Sequence, residues 1–222
     1  MFGFRKKKKT QILAIHGFGK KLHREFDAMK DYLEKRDCQV QLFDIYDLHN
    51  EQDTDEKKWM ERCETEVKKL LEQDKEIILI GFSMGGVIAS YLATIYPVKQ
   101  LILIAPAFQY LDIQKVAQHS LTTIKNLGKK KSTISLPTRT FMHIVDLYKD
   151  SIFHVDVPTL LIHGTHDEII PFESSQNIYK KMKNSCKLIL IEGAHHKMLY
   201  DHQGYETICF RLIYDMIQNE LF

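Results

Sequence analysis

Six short runs of apolar and β-branched residues punctuate the chain, at residues 12–15, 40–45, 77–80, 101–105, 160–163 and 188–191. Most are apolar nearly throughout rather than alternating, as strands covered on both faces of a parallel sheet require. Between them the period changes. Leu22, Phe26, Met29 and Leu33 recur every three or four residues, as do Trp59, Cys63, Val67 and Leu70, and then Tyr205, Ile208, Leu212 and Met216. Each set lays one apolar stripe along a helix. Strand alternating with helix predicts a doubly wound α/β architecture: a mostly parallel sheet of about six strands with helices on both faces.

One interval breaks that rhythm. About fifty residues separate the fourth run from the fifth, and they hold two predicted helices, near 111–126 and 138–150, divided by a Gly-Lys-Lys-Lys stretch at 128–131 and by Pro137. A crossover between parallel strands needs one helix, so the extra chain is expected to form a small helical cap, inserted at about 108–155 in a single domain spanning 1–222.

Composition narrows the class. A chain of 222 residues suffices for one substantial core, and 44% hydrophobic with 27% charged residues is an ordinary globular balance. A formal net charge of +2 gives no reason to expect a nucleic-acid partner. No apolar run approaches the ~20 residues of a membrane-spanning helix, so no integral membrane association is expected. The basic run at 5–9 is followed by only four apolar residues before His16, Gly17 and Gly19 intervene. That is too short for a secretory signal, and the expectation is a cytoplasmic protein with a solvated basic tail. Cys38, Cys63, Cys186 and Cys209 form no CxxC pair and read as reduced core thiols, not as a disulfide framework or a zinc site.

The chemistry sits at the ends of the predicted strands. Gly81-Phe82-Ser83-Met84-Gly85-Gly86 follows the third strand and opens an apolar helix over about 84–96, which is G-x-S-x-G in its strand–turn–helix setting. A serine on so sharp a turn takes strained backbone angles, and neighbours without a Cβ let strand and helix close up. His16-Gly17-Phe18-Gly19 follows the first strand, where a glycine-rich turn can present a backbone N–H to a developing oxyanion. The expected donors are the amides of Phe18 and Met84. His163-Gly164-Thr165-His166-Asp167-Glu168 follows the fifth strand and offers two carboxylates, while Glu192-Gly193-Ala194-His195-His196 follows the sixth and offers two imidazoles. A histidine there can take the proton of Ser83 and return it to a leaving group. The four histidines also raise the question of a metal, yet no recognisable ligand spacing is present, and neither metal nor cofactor is expected.

Together these motifs resemble those of the α/β-hydrolase superfamily, over nearly the whole chain. Residues 157–171 look like the acid-bearing segment of bacterial carboxylesterases and monoacylglycerol lipases, which implies Asp167 rather than Glu168 as the acid. The Gly-small-x-His pattern, with Asp201 a few positions on, implies His196 as the base. The order Ser83, Asp167, His196 is the order of that fold. One departure is that the antiparallel hairpin opening a full-length family sheet has no room in the first ten residues, so six parallel strands are expected rather than eight. The resemblance implies a serine esterase acting on short or medium acyl chains of a small-molecule ester, with monoacylglycerols included. A thioesterase and a non-catalytic ligand-binding relative are the alternatives. Phe108, Tyr110, Leu111, Phe141, Met142 and Ile144 are expected either to line an acyl pocket, with Phe108, Phe141 and Met142 foremost, or simply to fasten the cap. Oligomeric state is not legible in these patterns.

Overall fold

In the computed structural model, the described residues are 9–109, 137–183 and 185–221. Each apolar run becomes a strand: β1 (Thr10–Ile15), β2 (Gln39–Leu42), β3 (Glu76–Phe82), β4 (Gln100–Ile104), β5 (Thr159–Gly164) and β6 (Cys186–Ile191). They form one sheet in the order β2-β1-β3-β4-β5-β6, and all five pairings are parallel. The helices between and after them are α1 (Asp27–Glu34), α2 (Glu56–Glu72), α3 (Met84–Ile95), α4 (Thr138–Tyr148), α5 (Phe172–Lys181) and α6 (Tyr205–Ile217).

The two-residue period of the strands divides the core into two layers. Leu13, Ile15, Leu79, Leu101, Leu103 and Leu161 pack with residues of α2, α3, α4 and α5. Their neighbours Ile12, Ala14, Ile78, Ile80, Ile102, Ile104, Leu160 and Ile162 pack with α1 and α6 on the other face. Both faces are buried, which is why the strands read as unbroken apolar runs. The α2 stripe lies as its spacing predicts, with Trp59, Cys63, Val67 and Leu70 buried, and the Asp55 side chain caps the helix by accepting from the Lys57 N–H at 2.9 Å.

Four expectations need correction. The stripe of α6 is turned by about one residue. Met216 is buried as expected and Tyr205 and Leu212 pack half-buried on the same layer, but Ile208 is 49% exposed, and Cys209, Phe210, Ile213 and Ile217 join Met216 in facing the core. The first helical stripe is split between two elements, since Leu22 takes a positive φ of 55° and opens a short 3-10 turn (Leu22–Phe26). Leu22 packs against one layer, and Phe26, Met29 and Leu33 are buried in the other. Cys38 and Cys186 are half-buried rather than core residues, whereas Cys63 and Cys209 are fully buried; all four thiols are free.

The strand expected over 40–45 also stops early, at Leu42, and the reason bears on the site. The Ile45 N–H donates to His16 Nε2 at 2.9 Å and the Ile45 carbonyl accepts from Arg62 at 2.8 Å, so neither group extends the ladder. The helix expected at 138–150 forms as α4, and Phe141, Ile144 and Val145 belong to the α2–α5 layer. The helix expected at 111–126, with Tyr110 and Leu111, lies outside the described residues.

Candidate active site

Parallel strands all deliver their carboxyl ends to the same edge, and four of them carry polar groups there. Between β3 and α3, Ser83 adopts φ 53° and ψ −118°. For a residue with a Cβ this costs on the order of 1–3 kcal/mol and persists only where the surroundings enforce it. Here the Ser83 N–H donates to the Ile104 carbonyl (3.0 Å), and its own carbonyl accepts from Gly86 (3.0 Å) and Ala107 (3.1 Å). Strand and helix touch backbone to backbone. A Cβ on Gly81 would lie 2.6 Å from Gly86 Cα, and one on Gly85 would strike the carbonyls of Ile15 and His16. The Met84 N–H occupies the first turn of α3, where no helical carbonyl precedes it.

The turn after β1 lies directly beside this elbow, since a Cβ on Gly17 would come 3.1 Å from Ser83 Cβ. His16 is fully buried, and burial lowers its pKa to about 4. Its Nε2 accepts from Ile45, so its Nδ1 carries the proton and donates to the Gly17 carbonyl at 2.7 Å. His16 therefore braces the turn as a neutral ring. The flanking amides are committed, Gly17 N–H to Glu25 Oε2 (2.9 Å) and Gly19 N–H to Tyr46 Oη (2.8 Å). The Phe18 N–H between them has no hydrogen-bond partner among the described residues. The Phe18 ring stacks on Phe141, with centroids 4.9 Å apart.

Asp167 follows β5, with its side chain wholly buried. Its Oδ1 accepts from the N–H groups of Ile169 (2.9 Å) and Ile170 (2.8 Å), and its Oδ2 meets His196 Nδ1 (2.8 Å) and His163 Nε2 (3.1 Å). His163 Nε2 also lies 3.0 Å from the Ile170 carbonyl, which can only accept, so that nitrogen bears the proton. Its Nδ1 then accepts from the Ser175 hydroxyl at 2.7 Å. Burial alone would raise the Asp167 pKa. The imidazoles of His196 and His163, with their hydrogen bonds, outweigh it and hold the carboxyl well below the usual range. For His196, burial lowers the pKa, but Asp167 and then Glu168 and Glu25 more than reverse this, and the net shift is upward.

The adjacent histidines separate cleanly. His196 is buried on Asp167 and packs on the Phe82 ring at 5.1 Å. The His195 side chain is 43% exposed and meets Glu168 Oε2 at 3.2 Å. Phe108 and Phe141 are buried in the layer that holds Phe18 and Met84, with Met142 packed on its rim. No group of three or more potential metal ligands occurs among the described residues.

Glu25 is the residue that sequence reasoning missed. It is 4% exposed, and it accepts from the Gly17 N–H through Oε2 and from the Tyr200 hydroxyl through Oε1 at 3.3 Å. Burial raises its pKa to about 7, despite the opposing pull of Gly17, His196, Tyr200 and Lys21. A lone glutamate next to Arg24 reads as solvent-facing, and only the tertiary position of Tyr200 reveals otherwise. Tyr46 and Tyr200 likewise carried no signal of their role.

Residues 11–204 match a single family over most of the chain. The chain belongs to the uncharacterised protein family UPF0227. This UPF0227 member is 25% identical to a Mycoplasma pneumoniae protein named "Putative esterase/lipase 2", covering 89% of each. It is 23% identical to the Mycoplasma genitalium protein of the same name, covering 99% of this chain and 93% of the relative. Among solved structures it resembles one from the metagenome-derived lipolytic enzymes LipS and LipT, with a TM-score of 0.76, 15% identity, and 96% and 94% of the two chains covered. It also resembles the monoacylglycerol lipase of Paleococcus ferrophilus, with a TM-score of 0.70, 16% identity, and 96% and 97% covered. The UPF0227 chain thus has the α/β-hydrolase fold. Among its described residues no helix is long and apolar enough to cross a membrane.

Proposed function

We propose that this protein is a serine hydrolase that cleaves carboxylic esters through an acyl-enzyme intermediate. One observation carries the reading: a buried Asp167–His196 hydrogen bond of 2.8 Å stands at the same sheet edge as Ser83 on its strained elbow. Asp167 fixes the proton on Nδ1 of His196 and leaves Nε2 as the acceptor. In the proposed cycle Nε2 takes the Ser83 hydroxyl proton as Oγ attacks the ester carbonyl. The tetrahedral oxyanion is held by the amides of Phe18 and Met84, the imidazolium protonates the departing alkoxide, and water reverses the sequence to release the acid. The relatives' names, which refer to esters and lipids, support the same reading.

The acyl group is proposed to lie against Phe108, Phe141 and Met142, under a cap formed by about 108–155 of a single-domain chain. This favours short or medium acyl chains, including those of monoacylglycerols. The test is p-nitrophenyl ester hydrolysis over graded chain lengths, alongside labelling by a fluorophosphonate. Wild type is expected to turn over and to label, and Ser83→Ala to do neither while keeping its fold. Undiminished turnover by that variant would refute the assignment.

A further inference from the structure

Glu25 lies between two segments that the proposed chemistry must hold in register. On one side is the turn after β1, whose Gly17 N–H it accepts at 2.9 Å; on the other is Tyr200, four residues beyond His196, whose hydroxyl reaches it at 3.3 Å. The carboxylate is buried at the end of the 3-10 turn that leads into α1, and a Cβ on Gly17 would approach its Oε2 to 3.3 Å. Nothing in fold stability alone asks for an ionisable group in such a place, because an amide would meet the same two partners without the cost of dehydrating a charge.

We propose that Glu25 is a positioning residue of the hydrolytic centre, tying the oxyanion turn at Gly17 to the segment that carries His196 and placing a buried carboxylate, besides Asp167 and the exposed Glu168, near that imidazole. The inference rests on the serine-hydrolase reading. Two consequences follow from its contacts. Fixing Gly17 fixes the direction of the next amide, that of Phe18. A negative charge on Glu25 also favours the imidazolium form of His196, the form that arises as Ser83 loses its proton. The other titratable or charged groups acting on Glu25 are Tyr200, Lys21, Lys197 and Tyr46. Lys21 spans the same region, with its ammonium 4.8 Å from the Tyr200 ring centroid. Burial raises the Glu25 pKa to about 7, so its charge changes within the working range of a neutral hydrolase.

The test compares wild type, Glu25→Gln and Glu25→Ala. Gln keeps an acceptor for Gly17 and a polar contact for Tyr200 but loses the charge, whereas Ala loses all three. The first measurement needs no turnover: an NMR pH titration of the His196 ring. In Glu25→Gln its midpoint is expected to fall by on the order of half a unit. The second is steady-state hydrolysis of p-nitrophenyl acetate. Glu25→Ala is expected to lower kcat by on the order of 100-fold, as for loss of one oxyanion donor, with KM within about twofold. Glu25→Gln is expected to recover most of kcat, with the acid limb of its pH profile moved to lower pH. An unchanged His196 midpoint, or a kcat for Glu25→Ala within threefold of wild type, overturns the proposal. A midpoint that shifts in a protein inactive on every ester tested would count against the hydrolase reading while leaving the electrostatic link in place.

Discussion

Replacing Asp167 by Asn exchanges one oxygen for an NH2 group, and the surrounding contacts dictate which one. Oδ1 accepts two backbone hydrogen bonds, from Ile169 at 2.9 Å and Ile170 at 2.8 Å. Turning the amide the other way would set its NH2 against two N–H donors in a wholly buried site, at a cost of about 1–3 kcal/mol for each donor left unpaired. The carboxamide oxygen therefore takes the Oδ1 position and the NH2 group the Oδ2 position, facing His196 Nδ1 and His163 Nε2. His163 can keep its proton on the Ile170 carbonyl at 3.0 Å. His196 has no such escape. It must present a bare Nδ1 to the new donor, which moves its proton to Nε2 and removes the acceptor that Ser83 needs. A wrong tautomer in a serine-protease triad lowers kcat about 10⁴-fold, or about 5.5 kcal/mol of barrier. We expect a loss of that order here, with KM little changed. Glu168→Gln, at an exposed carboxylate that meets the His195 ring and accepts from the His196 N–H at 3.3 Å, should cost far less than Asp167→Asn. The assay is steady-state hydrolysis of a short-chain p-nitrophenyl ester, with ¹⁵N shifts of His196 reporting the tautomer. A kcat for Asp167→Asn within tenfold of wild type, or a larger loss in Glu168→Gln, would show that Asp167 does not orient the base.

Two further outcomes follow from the same network. His196→Ala should be nearly as damaging as Ser83→Ala because such groups act as a unit, whereas His195→Ala should keep most of kcat; the same ester assay on both folded variants decides, and the opposite ranking moves the base to His195. A carboxyl held below its ordinary pKa adds stability that is present above the unfolded value of about 3.9 and is lost as pH falls through the native one. In ¹³C NMR the Asp167 carboxyl should therefore remain ionised at pH 3, where ordinary carboxyls are largely protonated, and a midpoint in the ordinary range would contradict the assignment.

What the sequence disclosed and what it withheld divide along a physical line. Strands β1, β3, β4 and β5 are legible because both sheet faces are covered, so their central positions are apolar, and the edge strand β6 keeps an apolar run at 188–191. Gly81, Ser83 and Gly85 are legible because a backbone approach this close tolerates few side chains. The end of β2 is not, since Ile45 looks like strand continuation and is diverted by His16, 29 residues away in the chain. The rotation of α6 is hidden for a related reason: Ile208 and Cys209 are both apolar, and only docking selects between them. Glu25 is the clearest case. A buried charge is identified by its partners, and its partners Gly17 and Tyr200 lie on opposite sides of it in sequence.

The all-parallel order of the sheet also has a kinetic meaning. Among the described residues no strand pairs with its successor through a hairpin, so each pairing closes a long crossover: Thr10 registers with Glu76, and Leu101 with Thr159. Contacts of that kind form late and slowly, because the entropy of closing the loop is lost before the pairing rewards it. The groups at the carboxyl edge are drawn from β1, β3, β5 and the turn beyond β6, so the elbow at Ser83 can exist well before an imidazole reaches it. On the proposed mechanism, a chain halted before β6 docks would hold the Ser83 hydroxyl at ordinary alcohol reactivity, with no base to activate it. On that reading assembly itself keeps the centre latent, and recovery of fluorophosphonate labelling at Ser83 during refolding would report the docking of the last strand rather than the collapse of the core.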